Sequence, residues 1–192
     1  TGRQTRSVSQ RLRSQLLILG GFVVLIWFLE LLDLLFFQGA LDELGVQPRS
    51  TVGLRGVLLM PFLHRGFGHL LANTLPFLVL GWLVMVRRLA DFFLVTIVAL
   101  LTSGLGVWLF GGSQSVHIGA SGLVFGYFGY LILRAYFERS VASILVAGVV
   151  ILLYGGLIWG VIPLQAGVSW QGHLFGFVGG ALAAWLLSQR QP

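Results

Sequence analysis

The chain of 192 residues contains no cysteine and no lysine, and charged residues make up only 9% of it. The absence of cysteine excludes disulfides and thiolate metal sites, and it gives no information on the redox state of the compartment. Apolar residues account for 57% of the sequence, and the mean hydropathy is +0.93. A soluble domain of this length could not bury so much apolar surface, so the composition indicates an integral membrane protein.

Six apolar stretches are long enough to cross a hydrocarbon core of about 30 Å, which requires roughly 20 residues. They are predicted at 16–37, 68–87, 92–110, 121–137, 143–162 and 172–188. The first is too long for the apolar part of a signal peptide, and no small-residue cleavage site follows it, so we expect it to be retained. The predicted organisation is a basic cytoplasmic segment, 1–15, followed by one six-helix transmembrane domain, 16–190.

The arginines predict the orientation of these spans. All 12 basic residues are arginines, and nine of them lie in the N-terminal segment, at 87–88, at 134–139 and in the tail at Arg190. These four regions share one side of a six-span protein, and basic loops mark the cytoplasmic side. Both termini are therefore expected in the cytoplasm, and the compact single domain favours a bacterial inner membrane. The arginines form no single basic face, so nucleic acid is not an expected partner.

Three polar residues on different spans converge on one depth in the membrane. Counted from the arginines at the cytoplasmic ends of their spans, at 1.5 Å per residue, Ser121 lies about 20 Å away, Asn73 about 21 Å and His173 about 26 Å. Ser121 would then lie about 10 Å below the outer edge of the hydrocarbon core. Polar and ionisable residues at such a depth are candidates for function.

Small residues share helix faces with Ser121 and His173 at spacings of three and four. The residues on or beside these two faces are Gly122, Phe125, Gly126, Gly129, Gly176, Gly180 and Ala184. Because glycine-lined faces let helix backbones approach closely, they could bring Ser121 within hydrogen-bonding distance of His173.

A serine beside a neutral histidine is an activated nucleophile with a general base. Ser121 begins an apolar helix, so free backbone N–H groups near it can donate to an oxyanion. His69 and Asn73 are four residues apart on one helix face, and both can donate to developing negative charge. No carboxylate is predicted at the depth of His173, so we expect a Ser-His dyad and not a triad.

These segments resemble the motifs of the rhomboid intramembrane serine proteases. Residues 64–73 have the form H-x4-H-x3-N, residues 119–122 have the form G-x-S-G, and His173 begins H-x2-G-x3-G. They occur in the family's order and on its second, fourth and sixth spans. The family's Trp-Arg pair in the first loop is not matched cleanly, because Leu54-Arg55 stands slightly off its usual spacing to His64.

The resemblance implies a rhomboid-like six-helix bundle with Ser121 as nucleophile and His173 as general base. It implies oxyanion stabilisation by His69, Asn73 and the backbone of Ser121. Supporting positions are Gly119, Gly122, Phe125, Gly176 and Gly180, with Phe125 where the family often has a tyrosine stacked on the histidine. The implied reaction is cleavage of transmembrane substrate helices near the outer membrane face, after a small residue, with no metal, organic cofactor or obligate protein partner.

Each residue alone also has a structural interpretation. Ser121 could cap a helix, His173 could bond a backbone carbonyl, and His69 and Asn73 could bridge membrane helices. His64 is interpreted as structural, holding the first loop, and His117 as an interfacial histidine. Among other functions, a non-catalytic rhomboid-like protein that binds membrane clients would be expected to lack the serine or the histidine, and a small transporter would show internal repeats.

Overall fold

The structure, a computed structural model, describes residues 8–163 and 167–189. Residues 1–7 of the predicted basic segment and Arg190 lie outside this range. The helices are α1 Val8–Leu32, α2 Gly56–Leu59, α3 Phe67–Arg87, α4 Leu89–Phe110, α5 Ser121–Glu138, α6 Val141–Tyr154 and α7 Trp170–Ser188. A π-helical turn, Asp33–Phe37, extends α1, and a 3-10 helix, Gly155–Val161, extends α6. No strand forms within the described residues, so the all-helical prediction is confirmed.

Four helical segments are long and apolar enough to cross a membrane: Val8–Phe37, Phe67–Arg87, Leu89–Phe110 and Val141–Val161. Helices α5 and α7 occupy the predicted fourth and sixth spans but are not among these four segments. The described chain is thus an all-helical membrane protein with four clear spans, and six crossings stay a prediction, as does the side on which each terminus lies.

The largest differences from the predicted helix boundaries are at the start of α1 and at the end of α6. Helix α1 begins at Val8, inside the predicted basic segment, because the Arg, Gln and Ser residues there are compatible with helix outside the lipid. Helix α6 ends at Tyr154 instead of continuing to 162, and the chain tightens into a 3-10 helix at Gly155-Gly156. Glycine lowers α-helix stability by about 1 kcal/mol relative to alanine, which favours the change at this point.

Helix α5 forms the centre of the bundle. Every residue from Gly122 to Leu131 is buried, and the helix packs against α3, α4, α6 and α7. This buried stretch contains no charged residue, as expected of a helix segment that is surrounded by other helices. Helices α1 and α6 lie at the periphery. Only 11% and 17% of the residues in their 18-residue apolar stretches are buried. The helix that starts at Ser121 is therefore held on all sides.

Glycines bring α5 and α7 into backbone contact. A Cβ at Gly176 would lie 3.0 Å from the carbonyl carbon of Gly122 and closer still to its oxygen. A Cβ at Gly180 would overlap the carbonyl of Gly126 in the same way. Only glycine fits at these crossings, as the small-residue faces predict.

The first loop is bonded to the C-terminal end of α4 and to the segment that follows it. Val46 and His117 exchange two backbone hydrogen bonds of 2.9 and 3.0 Å. The Arg49 guanidinium donates to the carbonyls of Leu109 and Gly111 at 3.1 and 2.9 Å. The loop is thereby anchored to the segment that leads into Ser121.

Candidate active site

Ser121 and His173 meet where their helices begin. Ser121 is the first residue of α5, and His173 lies in the first turn of α7. The side-chain oxygen of Ser121 lies 2.9 Å from Nε2 of His173, within hydrogen-bonding distance. Gly119, two residues before the serine, has a φ of +112°, a conformation that favours glycine and turns the chain sharply into α5.

The second ring nitrogen of His173 is also occupied. Nδ1 lies 2.9 Å from the carbonyl oxygen of Gly160, and since a carbonyl only accepts, Nδ1 carries the proton. Nε2 is then left with a lone pair that accepts the hydroxyl proton of Ser121. Within the described residues no carboxylate contacts His173. A backbone carbonyl thus orients the ring, a role that the sequence analysis assigned to no group.

Gly160 itself is constrained by what surrounds it. A Cβ at this position would lie 2.8 Å from Phe125 and 3.0 Å from Nδ1 of His173. The one sequence signal for this residue is a glycine near the end of the fifth apolar stretch, and that signal is weak in a chain with 27 glycines.

Phe125 fixes the plane of the histidine ring. The two rings stack with centroids 4.1 Å apart and an interplanar angle of 8°. Phe125 is one helical turn after Ser121, so a single stretch of α5 carries both the hydroxyl and the ring that supports its partner. The stacking expected at this position is present, with a phenyl ring in it.

His69 reaches the turn before the serine. A Cβ at Gly119 would lie 2.7 and 2.8 Å from Cε1 and Nε2 of His69, and 3.8 Å from the hydroxyl oxygen of Ser121. Nδ1 of His69 accepts the Arg65 backbone N–H at 3.4 Å, which leaves Nε2–H as the donor facing the turn. The side-chain amide of buried Asn73 donates to the His69 carbonyl at 2.9 Å. Among the described residues no hydrogen bond joins Asn73 to Ser121 or His173.

His64 supports the same turn. Its Nε2 accepts the backbone N–H of Ala120 at 3.3 Å, and its ring lies 5.2 Å from that of His69. Burial lowers the pKa of His64 to about 3, so the ring is neutral and Nε2 is free to accept. His64 thus contacts the residue before Ser121, whereas the sequence analysis expected it to hold the first loop.

His117 and Ser103 connect neighbouring segments to the start of α7. Nδ1 of His117 lies 2.6 Å from the hydroxyl oxygen of Ser169, which also accepts the backbone N–H of Gly172 and so caps α7. The hydroxyl of Ser103, on α4, donates to the carbonyl of Gly172 at 2.8 Å and is fully buried. Both residues position the backbone next to His173, and the sequence analysis singled out neither for this purpose.

The chain is similar to known proteins over most of its length. Residues 53–190 match the model of the Rhomboid domain. An uncharacterized protein of Mycobacterium tuberculosis is 41% identical over an alignment that covers 98% of this chain and 83% of the relative. An uncharacterized protein of Mycobacterium leprae is 39% identical, over 87% of this chain and 69% of the relative. A Bacillus subtilis protein named "Putative rhomboid protease YdcA" is 30% identical, over 70% of this chain and 68% of the relative. The chain belongs to the rhomboid family.

Proposed function

We propose that this protein is an intramembrane serine endopeptidase that cleaves transmembrane substrate helices through a Ser121-His173 dyad and an acyl-enzyme. The observation that carries the proposal is the chain of two hydrogen bonds from Ser121 through His173 to the Gly160 carbonyl. A capping serine or a buried structural histidine would account for one of these bonds alone. The two hydrogen bonds together, with Phe125 stacked on the ring, hold His173 in the tautomer in which Nε2 can accept a proton from the nucleophile.

The chemical steps follow from that tautomer. Nε2 of His173 takes the hydroxyl proton as the Ser121 oxygen attacks the scissile carbonyl, and the resulting tetrahedral intermediate carries an oxyanion. The intermediate collapses when the C–N bond breaks and Nε2 returns the proton to the leaving amine. Water then gives a proton to Nε2 and attacks the acyl-enzyme, and Ser121 recovers its hydrogen as the carboxylic product leaves.

The oxyanion is stabilised by donors gathered at the serine turn. We assign this role to the backbone N–H of Ser121 and to the Nε2–H of His69, whose ring lies against Gly119. Asn73 supplies a further donor or holds His69 in place through the bond to its carbonyl. Donors fixed in advance at a site of low dielectric constant cost no reorganisation when charge develops.

The membrane orientation determines where substrates are cut. With six crossings and cytoplasmic termini, Ser121 faces the outer leaflet and receives water from the outer surface. A substrate helix must unwind there, which exposes backbone polar groups that lipid cannot satisfy. Substrates with helix-destabilising residues are therefore preferred, and the resemblance to the rhomboid proteases implies a small residue before the cut.

The direct test incubates purified protein in liposomes with a panel of single-span substrates and reads the products by mass spectrometry. Wild-type protein and Ser188→Ala, a serine at the far end of α7, are expected to give the same cut products. Ser121→Ala and His173→Ala are expected to give none while remaining folded. If no variant and no wild-type sample cleaves any substrate, the chain instead matches a rhomboid-like protein that binds membrane clients without cutting them.

A further inference from the structure

A basic cavity lies at the opposite end of the bundle from Ser121. It has a volume of about 250 Å³ and opens between the start of α1 and the junction of α3 with α4. Its wall includes Arg87, whose guanidinium is ion-paired with Glu138, the last residue of α5. Ser121 begins the same helix 17 residues earlier, about 25 Å away along the axis. The cavity thus lies near the opposite membrane surface.

The residues that line the cavity carry positive charge and no negative charge. Three arginines line it, Arg11, Arg87 and Arg88, and no carboxylate does. Arg87 forms ion pairs with Glu138 and Asp91, which do not line the cavity. Within the described part of the chain, neither Arg11 nor Arg88 has a carboxylate within 4.0 Å. Two arginines that have no ion-pair partner within 4.0 Å among the described residues therefore line one cavity.

The remaining wall combines polar and apolar groups. Ser14 and Gln15 come from α1, and the Gln15 amide donates to the Met85 carbonyl at 3.2 Å, which ties α1 to the end of α3. Met85, Val86 and Leu89 supply an apolar side. At about 30 Å³ per molecule, the volume corresponds to about eight waters, enough for a phosphate with an attached glycerol.

We infer that this cavity binds the phosphate ester head group of an anionic phospholipid. The guanidinium groups of Arg11 and Arg88 are opposite in charge to a phosphate, and each can donate two parallel hydrogen bonds to phosphate oxygens. Ser14 and Gln15 contact the glycerol oxygens, and the acyl chains leave along the apolar side formed by Val86 and Leu89. Basic pockets between membrane helices on the cytoplasmic side recognise such head groups. The inference does not depend on the protease proposal, because no residue of the cavity lies in the candidate active site.

The test is native mass spectrometry of the purified full chain in detergent, titrated with dihexanoyl phosphatidylglycerol, dihexanoyl phosphatidylcholine or glycerol 1-phosphate. Wild-type protein is expected to retain the anionic lipid at least tenfold more tightly than the zwitterionic one. The double variant Arg11→Gln with Arg88→Gln is expected to lose about 10- to 30-fold in affinity for the anionic lipid. The matched control, Arg13→Gln with Arg139→Gln, removes the same charge from residues outside the cavity and is expected to bind as wild type.

The three ligands distinguish a site for a lipid phosphate from a site for a phosphate in solution. Binding of the anionic lipid without competition by glycerol 1-phosphate supports a lipid site, and equal binding of glycerol 1-phosphate supports the same phosphate site filled from solution. Equal affinity of wild-type protein for the two lipids would overturn the inference without any variant. An equal loss in the cavity and control variants would also overturn it, because general surface charge would then account for binding.

Discussion

The crossing of α5 and α7 gives the sharpest structural prediction, through Gly176→Ala. The added methyl would lie 3.0 and 3.2 Å from the carbonyl carbon and Cα of Gly122, and nearer still to the carbonyl oxygen, whereas ordinary contacts begin at 3.4 Å. The obstacle is backbone, so the helices must separate by several tenths of an ångström or more. His173 is three residues before Gly176, and the 2.9 Å contact with Ser121 lengthens as α7 moves.

The expected magnitude follows from this displacement. Overpacking costs about 1–3 kcal/mol of stability, and a misplacement of about 1 Å at reacting groups costs on the order of 10²-fold in rate. We therefore expect Gly176→Ala to lower the initial cleavage rate in liposomes by about 10- to 100-fold, and to lower thermal stability in detergent.

The matched control is Gly148→Ala on α6, where a Cβ meets no atom within 4 Å. This change removes the conformational freedom of a helical glycine and is expected to raise stability by about 0.5–1 kcal/mol with no loss of activity. If Gly176→Ala cleaves as fast as Gly148→Ala, the argument that glycine contact sets the Ser121-His173 distance is wrong.

Three further predictions concern the supporting residues. His69→Ala is expected to reduce kcat by about 10²–10³-fold and Asn73→Ala by less, and the reverse order would contradict the assigned donors. Ser103→Ala is expected to lower the free energy of unfolding by about 1–2 kcal/mol through the lost bond to Gly172, and an unchanged melting temperature in detergent would contradict this. Because the pKa of His64 is lowered in the folded state, its contribution to stability is present above pH about 6.5 and lost as pH falls, by up to about 1.4 kcal/mol per unit. The melting temperature should therefore fall from pH 6.5 to pH 5, with a shallower slope in His64→Gln.

Much of the helical frame is predictable because membrane-spanning segments are recognisable from their apolar composition. Apolar runs, arginine positions and glycine stripes place α3, α4, α5 and α7 close to their observed bounds. The glycine faces also predict that α5 and α7 touch. What brings Ser121 near His173 is therefore already present in the sequence pattern.

The groups that complete the site are less visible in sequence. The partner of His173 is a backbone carbonyl, and any residue at position 160 would have one. His117 and Ser169 are 52 residues apart in two loops without periodicity, so no spacing rule joins them. The contact of His64 with Ala120 depends on how the first loop folds back, which neither helical period nor hydropathy encodes.

The central claim is that Ser121 is a nucleophile activated by His173, and reaction with a fluorophosphonate probe tests it most directly. Folded wild-type protein is expected to be labelled covalently, with the adduct mapped by peptide mass spectrometry to Ser121, and Ser121→Ala is expected to lose labelling. The reaction of His173→Ala is expected to be about 10³-fold slower or more. An adduct on another serine, or equal labelling rates with and without His173, would contradict the account.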